Sequence, residues 1–204
     1  TNHFDHDREL PPVFTGEAST HMRCLDDVLA GLDDRGWVHH IPLLMVLSNL
    51  ATLIAVSPGE LTDWFWVAFS DAYDWVVEPN VVGMGLFAVS DLLTTKPYVC
   101  GTPYINRMSD YCSTCRFDPK KNCLFTPLYW AFLERHREQL ADNPRMRLIL
   151  SSLGKRSDER IEHDDAVFRW AARVLDAGGR TVYCNRAGRE LLSGRPATAD
   201  PEVD

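Results

Sequence analysis

The stretch YINRMSDYCSTCRFDPKKNCLF, Tyr104 to Phe125, places Cys112, Cys115 and Cys123 within twelve residues. Three thiols at C-x2-C-x7-C spacing form an incomplete ligand set, because tetrahedral thiolate sites use four donors. Zinc held by four cysteines, or by three and a histidine, is the common structural solution. A [4Fe–4S] cluster also takes four thiolates. Cys24, Cys100, Cys184 or a histidine could complete either, so spacing leaves both open.

The rest of the chain narrows the setting. It has 204 residues, enough for one large domain or two small ones. Its 45% hydrophobic and 25% charged residues are ordinary globular composition. A formal charge of -8 excludes a uniformly basic nucleic-acid coat and leaves room for a local basic face. No signal peptide is visible, and six cysteines in a core-rich chain point to a reducing, cytoplasmic setting with metal or redox thiols. The most apolar run, Ile41 to Val56, is 16 residues long and contains Ser48, Asn49 and Thr52. A bilayer span needs about 20 apolar residues, so a buried helix is expected. The polar, aperiodic start TNHFDHDREL without Met is how a chain cut from a longer one begins.

Helix signals recur and strand signals do not, so the expected class is all-α. Ser19 or Thr20 can cap a helix carrying Met22, Leu25, Val28, Leu29 and Leu32 on one face, ended by Gly36. A central helix starts near His39. Ser57-Pro-Gly-Glu60 reads as a capping box ahead of Leu61, Trp64, Phe65 and Ala68. EPNVVGMGLFAVSD and TTKPYVCGTP read as a long ordered connection. Thr102-Pro103 and Thr126-Pro127 read as caps opening helices over 103–112 and 127–141. A last helix covers Asp158 to Leu175, and 178–188 could hold a short strand or turn. The expected division is an irregular lead-in at 1–10, a helical unit at 11–153, a C-terminal helix and extension at 154–190, and a flexible tail at 191–204.

The residues around the thiols are more telling. KPYVCGTPYINRMSDYCSTCRFDPKKNCLFTPLYWAFLERHREQLADNPRM resembles the C-terminal part of the bacterial iron–sulfur photolyases and cryptochromes, the prokaryotic (6-4) photolyase relatives. FTGEASTHMRCLDDVL, HHIPLLMVLSNLATL, DWFWVAFSDAYDWVVEPNVVGM and TKPY continue the likeness in order, from about Pro12 to Leu153. The resemblance implies the helical FAD and iron–sulfur domain of the photolyase fold, without the N-terminal α/β antenna domain. It also implies a [4Fe–4S] cluster on Cys24, Cys112, Cys115 and Cys123, which leaves Cys100 and Cys184 as spectators.

The implied activity is light-driven electron transfer from reduced FAD to (6-4) photoproducts in DNA, in a monomer. The resemblance gives His40 a proton-handling task, with His39 beside it; imidazole suits this because its pKa lies near working pH. It puts Trp64 and Phe65 on the electron route, and Asp71, Asn80, Met84, Tyr98 and Tyr104 around the flavin and lesion. Three departures stand out. Phe65 replaces a frequent Tyr, Phe14 replaces a frequent Trp, and AVSD (Ala88 to Asp91) replaces a glycine-bearing ADGG turn. Lys96, Arg107, Arg116, Lys120 and Lys121 outnumber Asp110 and Asp118, a local excess suited to phosphates, with Lys120 and Lys121 as the named DNA contacts. Two other readings share these features. One is a photosensory cryptochrome that signals without repair. The other is a structural iron–sulfur or zinc module that binds nucleic acid, similar to the helical cluster domain of the primase large subunit.

Overall fold

The computed structural model describes residues 1–16 and 20–176. Ser19, Cys184, the 178–188 segment and the 191–204 tail lie outside the described residues. Within them the fold is all-helical, and its one ladder contact is an isolated parallel bridge between Arg8 and Val56. No described helix is long and apolar enough to cross a membrane.

Helix α1 (Arg23–Arg35) starts differently from the expected cap. Met22 is the capping residue, while the Thr20 hydroxyl accepts from Met22 N at 3.0 Å and donates to Asp26 Oδ1 at 3.0 Å. Gly36 ends the helix at φ 69°, a conformation glycine adopts without a Cβ penalty. The central run is α2 (His40–Pro42), a π-helical stretch (Leu43–Ser48) and α3 (Asn49–Leu53), head to tail. Its residues Leu47, Leu50, Leu53 and Ile54 are fully buried.

Helix α4 (Pro58–Ala68) has Ser57 at its cap position, but the Ser57 side chain makes no capping bond. Glu60, expected to close the box, instead accepts from Leu10 N at 3.4 Å and ties the lead-in to α4. After α5 (Asp74–Val77) comes a second π-helical stretch (Glu78–Gly85) and a 3-10 turn (Ser90–Leu92), where turn residues had suggested a connection. Pro79 falls just after α5 passes into that stretch, and it has no N–H to give to the helical hydrogen-bond ladder there. Gly85 is needed for contact: a Cβ there would lie 2.7 Å from Ser48 Oγ in the first π-helical stretch. Thr52 closes the crossing by donating to the Ser48 carbonyl at 2.9 Å and the Gly85 carbonyl at 3.2 Å.

Helices α6 (Thr102–Met108), α7 (Phe125–Arg135), α8 (Arg137–Leu140), α9 (Arg147–Leu153) and α10 (Asp158–Asp176) complete the fold. The α6 and α7 helices start one or two residues before their expected positions. Thr102 and Thr126 therefore lie inside the first turns and bond each other at 3.0 Å. α10 packs along α7, burying Val167, Trp170 and Ala171, so 158–176 shares the core of the preceding helices.

The lead-in is irregular in backbone but firmly docked. Phe4 and His6 are buried, and Arg8 donates to the Ile54 carbonyl at 2.7 Å and the Ala172 carbonyl at 2.8 Å. Burying a phenylalanine contributes about 2–3 kcal/mol, which offsets the cost of ordering a short segment.

Candidate functional site

Cys24 occupies the second position of α1, and its side chain is buried. Cys112 lies in a 3-10 turn (Tyr111–Ser113) that packs against α1. The loop from Cys115 to Cys123 is shaped by its own polar side chains. Asp118 Oδ1 accepts from Lys120 N at 2.8 Å, and Asn122 Oδ1 accepts from Asp118 N at 2.7 Å. These short-range turns return the chain so that Cys123 ends up beside α6, just ahead of α7.

The four thiols feel one another. Burial pushes the Cys24 thiol well up, and Cys123, Cys115 and Cys112 push it further by repulsion between thiolates. Cys112 is raised by burial and then by Cys115. Cys123 is pushed up to about 11 by burial, against hydrogen bonds from the Thr102 hydroxyl and the Phe125 amide. Phe117 N donates to Cys115 Sγ at 3.5 Å. A thiolate-bound metal group would need these thiols ionised, which burial opposes and a cationic centre would favour. Among the described residues, no three His, Cys, Asp or Glu side chains converge closely enough to hold one metal ion.

Cys100 lies apart from this set. Asn49, reaching from the central helix, holds Cys100 O at 3.0 Å, Cys100 N at 3.0 Å and Cys100 Sγ at 3.3 Å. Burial pushes that thiol up to about 12.

A groove of about 350 Å³ runs between the central helix and α6, lined by His39, Pro42, Met45, Ile105, Met108 and Tyr111. One end reaches Tyr111, next in sequence to Cys112. His39 caps α2, its Nδ1 accepting from Ile41 N at 3.3 Å, which leaves the proton of the neutral ring on Nε2. His40, the first residue of α2, is exposed and stands outside the groove's lining.

The other expected site residues are distributed around the central helix. Trp64 is half-buried and Phe65 fully buried on α4. Trp64 has its ring edge-on to Phe14 at 5.2 Å, to Phe65 at 5.1 Å and to Phe69 at 5.9 Å. Asn80 and Met84 lie half-buried on the second π-helical stretch, and Asn80 Nδ2 donates to the Val76 carbonyl at 2.7 Å. Asp71 and Tyr98 are exposed; Tyr104 is half-buried on α6 beneath Arg107, whose guanidinium lies 5.4 Å from its ring centre. Lys120 and Lys121 are exposed at the rim of a cavity of about 160 Å³ that also touches Cys123, Thr126 and His163.

Two features escaped the sequence reading. The Thr102 and Thr126 hydroxyls, read as caps, bond each other across the α6–α7 contact. His136, from the α7–α8 junction, pairs with buried His6 at 3.1 Å between Nε2 atoms, and nothing in the local sequence marks that meeting.

An all-helical domain that packs α1, carrying Cys24, against the turn of the Cys112, Cys115 and Cys123 segment defines the class. Comparison with known proteins makes it specific. The chain is 42% identical over 169 residues to a (6-4) photolyase of Agrobacterium fabrum, covering 80% of this chain and 33% of that protein. It is also 35% identical over 89 residues to an uncharacterized protein of Acanthamoeba polyphaga mimivirus, covering 44% of this chain and 69% of that relative. No family model matches the chain. The chain belongs to the bacterial photolyase family that its sequence resembles, and it spans about a third of the length of the photolyase it matches.

Proposed function

We propose that this chain is the flavin- and cluster-bearing helical part of a (6-4) photolyase, acting on photodamaged DNA, with a [4Fe–4S] cluster on Cys24, Cys112, Cys115 and Cys123. The observation that carries the reading is the approach of Cys24 to three thiols 88 or more positions later. A cluster supplies a redox-active centre and a cross-link between distant helices.

Reduced FAD, when bound and excited, supplies an electron to the lesion. Asn80, Met84, Tyr98 and Tyr104 would hold it, with Asp71 nearby. Exposed Tyr73 and Trp75, whose rings stack 4.8 Å apart, offer apolar surface for a planar ligand. Trp64, in ring contact with Phe14, Phe65 and Phe69, would carry electrons toward it. Phe65 and Phe14 hop electrons less readily than Tyr or Trp, so photoreduction is slow. His39 holds its proton on Nε2 at the groove wall. His40, solvent-accessible at the helix start, delivers or removes a proton at the lesion. Lys120 and Lys121 track phosphates while the damaged nucleotides turn into the pocket.

The test is anaerobic purification of the full-length protein. About four iron and four sulfide per chain are expected; stoichiometric zinc without iron overturns the cluster assignment. For the activity, His40→Ala should retain FAD and its photoreduction while losing (6-4) repair, and Trp64→Phe should show the reverse pattern. Wild-type protein that binds FAD, photoreduces and repairs nothing would establish the photosensory reading instead.

A further inference from the structure

One side chain fastens the segment around Cys100 to the central helix. Asn49 is fully buried where the first π-helical stretch passes into α3. Cys100 N can only donate and lies 3.0 Å from Asn49 Oδ1, so Asn49 Nδ2 faces the Cys100 carbonyl, also at 3.0 Å. The second Nδ2 proton reaches the Met45 carbonyl, about one turn back on the same helix, at 3.2 Å. The backbone N–H of Asn49 bonds the Leu44 carbonyl in the π-helical register. One carboxamide thus uses its acceptor and both its donors, and it joins segments 51 positions apart. A carboxamide this deeply buried is costly unless every polar atom on it is paired, and here each one is.

Both sides of this clamp bear on the proposed site. The helical run that carries Asn49 begins at His40, with His39 as its cap. On the other side, Cys100 lies between Tyr98 and Tyr104, and α6 starts just beyond it at Thr102. Cys100 belongs to no helix, so the carboxamide gives its N–H and C=O the partners that a backbone ladder supplies elsewhere. Thr126 holds the first residue of α6 from α7, accepting from Thr102 N at 3.2 Å. Met45, whose carbonyl Asn49 also holds, lines the groove opposite Ile105 and Met108 of α6.

We infer that Asn49 is a positioning residue for repair, which holds the segment bearing Tyr98 and Tyr104 in register with the helix that His39 and His40 begin. This rests on the flavin and lesion reading above. The effect runs through backbone: from Cys100 back to Tyr98, and forward through Gly101 into α6 and Tyr104. A shift of the clamp would change the spacing between the histidines and the tyrosines, and misplacement by about 1 Å can cost about a hundredfold in rate. The Cys100 thiol, 3.3 Å from Asn49 Nδ2, adds a weak contact that the two backbone bonds do not need.

The experiment uses the full-length protein loaded with FAD and follows hydrogen exchange over 97–108, with 158–176 as the internal reference. Asn49→Leu removes the carboxamide at similar volume. Exchange over 97–108 should quicken about tenfold or more while 158–176 stays near wild type. Repair by chemically pre-reduced enzyme, per bound FAD, should fall about tenfold or more, with photoreduction unchanged. Asn49→Asp gives the sharper readout. Protonated, its carboxyl accepts from Cys100 N and donates to the Cys100 carbonyl; ionised, it has no donor and faces carbonyl oxygens. Burial raises such a carboxyl, so exchange and repair should match wild type at about pH 6 and depart from it by about pH 9. Cys100→Ala should behave as wild type throughout. If Asn49→Leu fails to fold, the pH profile of Asn49→Asp decides the matter. Equal quickening of both regions, wild-type exchange over 97–108, or local quickening with wild-type repair per FAD overturns the inference. Wild-type protein that binds FAD, photoreduces and repairs nothing overturns the repair reading itself, and the task of Asn49 with it.

Discussion

Lowering the pH should release the lead-in segment, because its anchor is a buried imidazole pair. His136 Nδ1 lies 2.6 Å from Gln139 Oε1, an atom that only accepts, so the His136 proton is on Nδ1 and its Nε2 is an acceptor. His6 must then donate from Nε2 across the 3.1 Å contact. Neither ring has room for a second proton at low cost. Burial, then His136 and Arg135, lower His6 to about 3. Burial, with Arg135 and His3, lowers His136 to about 4, against the opposing help of Gln139 and Asp5.

In the unfolded chain both rings titrate near the ordinary value of 6.5. Between that value and the folded ones, the unfolded state binds more protons, so stability is full above pH of about 6.5 and falls as the pH drops. From about pH 7.5 to about pH 5 each ring costs about 2 kcal/mol, or about 4 kcal/mol together. Asp164 works the other way. Burial raises its carboxyl to about 6 despite Arg156, so the folded state takes up a proton there and recovers about 1 kcal/mol. The net loss is about 3 kcal/mol, a large share of a typical domain's stability. Urea midpoints measured across this range should fall, and His6→Leu, though less stable throughout, should show a slope shallower by about one proton. A pH-independent midpoint, or ring resonances of both histidines titrating near 6.5, would refute the reasoning.

Other outcomes follow from single contacts. Cys24→Ser should lose iron and lower the melting temperature, since it opens a cross-link over 88 positions, worth about 4–5 kcal/mol if it acts as a disulfide would; Cys184→Ser should change neither iron content nor melting. Ser90 holds φ 56° in the turn where the resembling family carries glycine, so Ser90→Gly should stabilise the protein by about 1 kcal/mol in urea titrations. Reversing Lys120 and Lys121 to Glu should weaken DNA binding by the full-length protein and flatten its dependence on salt; an unchanged affinity across salt would place the DNA face elsewhere.

The sequence was readable where chemistry is local or where helical periodicity holds. The apolar face of α1, the buried central run and the long α10 follow from spacing alone, and the three clustered thiols announce a site. Cys24 does not announce itself, since no periodic or spacing argument distinguishes it from Cys100; only the family resemblance implied it, and the structure packs α1, which carries it, against the turn that contains Cys112. The hydroxyl pair was legible as two Thr-Pro signals but not as a pair, because their meeting depends on how α6 and α7 pack. The His6–His136 contact spans 130 positions and is a product of tertiary structure entirely.

The largest misreading, at 78–92, has a physical cause that also bears on function. A π-helical stretch contains more residues per turn than an α-helix, so the 3.6-residue pattern fails across it and the segment reads as connection. Such stretches are costly and persist where surrounding packing holds them, commonly at functional sites. Two occur among the described residues, and they cross at Gly85 against Ser48, a contact that admits no side chain on Gly85. Thr52 fastens both to one hydroxyl. The residues proposed for flavin and lesion are placed around this crossing: His39 and His40 just ahead of the first stretch, Asn80 and Met84 on the second. A change that relaxes either stretch to regular helix rotates the following side chains by about 100°. Relaxing the first stretch would move the histidines relative to Asn80 and Met84 while leaving all four residues outside the altered segment. The crossing thus fixes the two stretches that carry or adjoin these sequence-distant residues relative to each other.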